Sequence, residues 1–81
     1  NRVVPAGEAF AEAMRLARIV ASKSTLTIRT GKRAFYEQAE MTLSDAYDHA
    51  SRVMAENMLA RDAEEGIGAV LEKREPVWTG E

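Results

Sequence analysis

The stretch RDAEEGIGAVLEKREP, Arg61–Pro76, contains a start signal, an apolar stripe, a basic end and a stop. Asp62 has the chemistry of an N-cap, and Glu65 follows three residues later, the spacing of a capping box. Each side chain is then expected to satisfy an orphan N–H of the first turn. Ile67, Val70 and Leu71 recur at helical spacing. Lys73 and Arg74 fall where the macrodipole favours cations, and Pro76 ends the element. The reading is a helix over residues 62–74.

The same run, written D-x-x-E-G-I-x-A-x-L-E-K-R-x-P-V-W over Asp62–Trp78, resembles the C-terminal signature of the enoyl-CoA hydratase/isomerase (crotonase) family. The resemblance extends more loosely back to Val3. It implies the helical C-terminal domain of a larger enzyme acting on acyl-CoA thioesters. In the family this domain packs on an upstream core and helps to build homo-oligomers, trimers or dimers of trimers. The family's oxyanion hole and its acid and base glutamates belong to that core, so no residue here is expected to be catalytic. By motif, Lys73 corresponds to a family lysine near the nucleotide end of coenzyme A, often the coenzyme on a neighbouring subunit. Val70 stands where the family often has phenylalanine, which makes its share of the contact smaller. The coenzyme A thioester is substrate, and no tightly bound cofactor is implied. A bacterial cytoplasm or the mitochondrial matrix is the compartment that follows.

Working outward, Thr42 is an N-cap candidate with Asp45 at the third helical position. Leu43, Ala46, Tyr47, Ala50, Val53, Met54 and Met58 then share a face, giving a helix over 43–59. Asp48, Arg52 and Glu56 are spaced for a solvated i,i+4 ladder. Residues 24–39 are ambiguous by themselves. Thr25–Thr30 alternates and is β-branched, as in a strand, but no second strand exists to pair with it. Ser24 as a cap, the shared helical face of Ile28 and Phe35, and the family resemblance favour a helix. Gly31 within it costs about 1 kcal/mol relative to Ala and is expected to mark a close helix–helix contact. Residues 8–22 form an amphipathic helix through Phe10, Ala13, Met14, Ala17, Val20 and Ala21, with Gly7 a weak cap. Four helices and short links give an all-α chain, a small bundle of the orthogonal type. Residues 75–81 read as a tail.

The bulk numbers set limits. Eighty-one residues allow one domain at most. Apolar residues make up 46%, enough for a core. A formal charge of −2 argues against nucleic acid as a partner. With no cysteine there is no disulfide or thiolate chemistry. No apolar run approaches the roughly 18 residues of a membrane span, and the first residues do not have the pattern of a signal peptide. Absence of an initiator Met agrees with a fragment of a longer chain.

Other candidate chemistry gives way to simpler readings. Asp62, Glu64 and Glu65 could form an acid/base pair, but capping explains both spacing and position. His49 is the only histidine and is expected on the helix surface, and with no cysteine a zinc site is not expected. Met14, Met54 and Met58 fit core stripes better than a plastic peptide groove. GIGA at Gly66–Ala69 lies within a helical pattern and lacks the strand that precedes a phosphate loop. Two functions from different classes remain: part of an acyl-CoA hydratase/isomerase, or a free-standing helical interaction module without chemistry.

Overall fold

The computed structural model describes all 81 residues, Asn1–Glu81. It is all-helical: α1 (Ala9–Ala21), α2 (Thr25–Ala39), α3 (Leu43–Met58) and α4 (Arg61–Glu72). The strand-like run at Thr25–Thr30 is helical, because Ser24 Oγ accepts the Thr27 N–H at 3.2 Å and opens α2. Thr42 Oγ1 does the same for the Asp45 N–H of α3, at 3.2 Å. α1 begins at Ala9 behind Glu8, and Gly7, at φ 86°, provides the turn before it. Glu12 binds Arg15 through two hydrogen bonds and Arg2 through a third. The Arg15 hydrogen bond first, then the charges of Arg15 and Arg2, lower the Glu12 carboxyl to about 2.

The helices splay out instead of closing around one core. α2 packs along α3, α3 meets α4 over a short length, and α1 stands off from the others. The radius of gyration is 16.0 Å, against about 12 Å for a compact chain of this length. The accessible surface is 6870 Å², about 2,000 Å² more than a compact 8.9 kDa monomer exposes. Only Ala69, Ser24 and Asp62 are buried. Several expectations change accordingly. Met14, Met54 and Met58 lie on exposed faces instead of in a core, and Phe10, Phe35, Tyr47, Val70 and Leu71 are also exposed. Gly31 has nothing within 4 Å of the position of a Cβ, so it marks no close helix contact. The Asp48–Arg52–Glu56 ladder does not form. Instead Glu37 pairs with Arg33 within α2 at 2.8 Å and lies 3.1 Å from His49 of α3.

The largest correction concerns the start and end of α4. Ala60, not Asp62, is its N-cap residue, with no side-chain cap. The helix stops at Glu72, and Lys73 caps it in the left-handed conformation, at φ 55° and ψ 43°. Arg74 N–H then reaches back to Ala69 O at 3.0 Å, the long bond of a Schellman-type ending. The last residues are not a free tail. They fold back along α4 to the start of α2.

Candidate functional site

Two carboxylates on successive turns of α4 hold the returning chain. Asp62 is 2% exposed and Ser24 3%. Asp62 Oδ2 accepts the Ser24 hydroxyl at 2.5 Å and the Gly80 N–H at 3.0 Å. Its Oδ1 accepts Thr79 N–H at 2.8 Å and Thr79 Oγ1 at 3.0 Å. The Asp62 N–H itself donates to Glu81 O at 2.7 Å. One buried side chain thus joins α4, the N-terminus of α2 and the C-terminal residues. The Ser24 hydroxyl bond, followed by the Thr79 and Gly80 amides, lowers the Asp62 carboxyl despite its burial. That environment stabilises the ionised acceptor, so Asp62 is not poised for proton transfer near neutral pH. A capping aspartate would have had its partners within its own helix. These partners lie 17 to 38 residues away in sequence, which local spacing cannot reveal.

Glu65, the other half of the expected capping box, is the second hook. Its oxygens accept Arg74 Nη1 at 2.5 Å and Nη2 at 2.9 Å, and Oε1 also accepts Val77 N–H at 2.7 Å. Arg74 Nε donates to Glu72 Oε2 at 2.6 Å. Arg74 is therefore not a free dipole-compatible charge: its planar fork takes up two carboxylates of α4 at once. The Arg74 hydrogen bonds first, then the Val77 amide, lower Glu65 to about 2. Trp78 lies across Gly66, where a Cβ would come within 3.2 Å of the indole, so the Trp is half-buried and not part of an open face.

Lys73, the residue singled out by motif, takes no part in this network. No carboxylate lies within 4.0 Å of its ammonium, although α4 carries four acidic residues. Glu64, Glu65 and Glu72 line a groove of about 460 Å³ with Arg61 and Arg74, and Lys73 and Val70 lie outside it. Val70 is 76% exposed, at the last turn of α4. At the end of α4 the Lys73 ammonium is thus unpaired and the Val70 side chain exposed, three residues apart in sequence.

A second polar groove, of about 470 Å³, runs between α2 and α3 and is lined by Arg33, Glu37, His49, Arg52 and Glu56, among others. His49, expected on the surface, is mostly covered there. Its Nε2 lies at ion-pair distance from Glu37 but is not aligned for a hydrogen bond. The Arg33 hydrogen bond, more than His49, lowers the Glu37 carboxyl. No group of three or more His, Cys, Asp or Glu side chains is arranged to hold a metal ion. No helix is long and apolar enough to cross a membrane. GIGA sits inside α4, as expected, and forms no phosphate loop.

Comparison with known proteins defines the class. The enoyl-CoA hydratase/isomerase family model matches residues 1–81. Human enoyl-CoA hydratase domain-containing protein 3, mitochondrial, is 44% identical over 81 residues, which are all of this chain and 27% of that protein. A probable mitochondrial enoyl-CoA hydratase of Dictyostelium discoideum is 35% identical, over 96% of this chain and 28% of the relative. The crystal structure of the human domain-containing protein 3 superposes with a TM-score of 0.90 at 46% identity, covering 94% of this chain and 30% of that one. An enoyl-CoA hydratase structure from Mycobacterium smegmatis gives 0.90 at 37% identity, covering 96% and 30%. The chain belongs to the enoyl-CoA hydratase/isomerase family. It spans under a third of the length of the relatives it matches.

Proposed function

We infer that these 81 residues form the C-terminal helical domain of an enoyl-CoA hydratase/isomerase-type enzyme acting on acyl-CoA thioesters. In this reading the domain caps an upstream catalytic core and contributes to a homo-oligomer, a trimer or hexamer. The observation that carries it is the surface, about 2,000 Å² beyond what a compact monomer of this size exposes. That excess matches the area buried in a substantial protein interface. The exposed side chains include Phe10, Phe35, Tyr47, Ile67, Val70 and Leu71, too many apolar groups to leave in water.

The chemistry in this reading belongs to residues outside the chain, and none of the residues here is catalytic. Lys73 and Val70 contact coenzyme A, with the ammonium on phosphate and the apolar side chain beside the nucleotide. An unpaired cation next to an exposed apolar group suits a ligand that is anionic on one side and aromatic on the other. The compartment is the mitochondrial matrix or a bacterial cytoplasm, the former in keeping with the mitochondrial names of several relatives.

The test is hydration of an enoyl-CoA by the full-length polypeptide, followed as loss of the unsaturated thioester's absorbance, together with light scattering. Turnover by a stable oligomer is the expected result. A free-standing interaction module is the competing reading, and it predicts no turnover. A clean monomer of the 81 residues across concentrations would remove the main support for an uncovered interface.

A further inference from the structure

A coenzyme contact by Lys73 requires an ammonium that is both unpaired and fixed in place. Lys73 is the only non-glycine residue with positive φ in the chain. A β-carbon in the left-handed region is disfavoured by sterics, so the surrounding structure must impose the conformation. The neighbouring bonds do so. Arg74, the next residue, is held through both terminal nitrogens by Glu65 and through Nε by Glu72, and its Nη1 also reaches Glu75 O at 3.3 Å. Glu65 anchors Val77 N–H as well, so the backbone is gripped on both sides of Pro76.

The same contacts settle the charges. Glu72 adjoins Lys73 in sequence and would be a natural partner for its ammonium. Arg74 occupies it, along with Glu65, and thereby draws the acidic side chains into the groove that excludes Lys73. An arginine suits this task better than a lysine, since only a planar fork binds one carboxylate through two nitrogens and a second through its third.

We propose that Glu65 and Arg74 are positioning residues for the nucleotide end of coenzyme A: their clamp fixes the left-handed turn at Lys73 and withholds carboxylate partners from its ammonium. The proposal rests on the reading of Lys73 given above. Its electrostatic signature is unusual. Glu65→Gln removes a negative charge near an anion site, and charge alone would tighten binding. A positioning role reverses the sign. The variant loses the Glu65–Arg74 ion pair, loosens the turn that places the Lys73 ammonium, and weakens binding.

The experiment is titration calorimetry of the full-length polypeptide with two probes, coenzyme A and pantetheine, which lacks the nucleotide. Glu65→Gln and Lys73→Ala should each raise the Kd for coenzyme A by about fivefold, the scale of one surface charge–phosphate contact. The double variant should be no weaker than Lys73→Ala, because both act through one group. Pantetheine affinity should not move. Arg74→Lys, which keeps the charge and loses the fork, should reproduce the Glu65→Gln result and serves if that variant does not fold. Unchanged or tighter coenzyme A binding by Glu65→Gln, with Lys73→Ala weakened, overturns the positioning proposal alone. Unchanged binding by Lys73→Ala overturns the coenzyme contact, and the proposal with it. Failure of the unmodified protein to bind coenzyme A at all overturns the functional reading itself.

Discussion

Replacing Ser24 by Ala should cost more than any ordinary helix cap, because its hydroxyl serves two elements. As the N-cap of α2 it accepts the Thr27 N–H. As a donor it reaches Asp62 Oδ2 at 2.5 Å, and both residues are buried. Loss of the cap costs about 1 kcal/mol. Depriving a buried carboxylate of one charge-assisted donor adds about 1.5–3 kcal/mol. The expected total for Ser24→Ala is therefore about 2.5–4 kcal/mol. Thr42→Ala is the natural control: Thr42 caps α3 through a single exposed bond to the Asp45 amide, and its loss should cost about 1 kcal/mol. Urea unfolding of the full-length polypeptide measures both. Hydrogen exchange localises the effect, with the Thr79 and Gly80 amides losing protection in Ser24→Ala but not in Thr42→Ala. Asp62→Ala should be less damaging in the Ser24→Ala background than alone, since the shared bond is already gone. Equal costs for Ser24→Ala and Thr42→Ala, with Thr79 and Gly80 still protected, would refute the idea that Asp62 ties three segments together.

The remaining predictions concern pH and the glycines. Glu65 has its carboxyl lowered from 4.5 to about 2, so its contribution to holding the returning chain is complete above about 4.5 and is lost as pH falls through about 2. Trp78 fluorescence should report that release with a midpoint well below 4.5, whereas a midpoint at the ordinary carboxylate value would mean the Arg74 clamp is absent in solution. Gly31→Ala should stabilise the protein by about 1 kcal/mol in a thermal melt, since nothing lies near its missing side chain. Gly66→Ala should gain less than that and shift the Trp78 emission to the red, because a methyl there comes within 3.2 Å of the indole. Equal gains at the two glycines would show that Trp78 does not rest on α4.

Much of this fold is legible in the sequence because it is local. Periodicity places α1, α3 and α4 within a few residues of their ends. The strand-like pattern at Thr25–Thr30 leaves α2 to be read from the Ser24 cap, the lack of a strand partner and the family resemblance. Ser24 and Thr42 are readable as caps because a cap's partner lies three residues away. The motif around Lys73 locates the family. The acidic pair at Asp62 and Glu65 shows where such reading stops. Their spacing fits a capping box, yet both side chains turn to partners at Ser24, Arg74, Val77, Thr79 and Gly80. A carboxylate has several lone pairs, and a returning chain offers backbone donors that spacing along one helix does not register. His49 is hidden from sequence reading for a similar reason: a residue that looks peripheral on its own helix is covered once α2 lies beside α3.

By itself, then, the sequence determined the helical class, the approximate helix limits and the family, since each depends on residues close together along the chain. Only the tertiary structure decided that the apolar stripes stay uncovered, that the C-terminal residues are fastened to α2 and α4, and that Lys73 alone at the end of α4 keeps its charge free. Those outcomes depend on which donors meet which acceptors across tens of residues, and that is fixed by packing rather than by pattern.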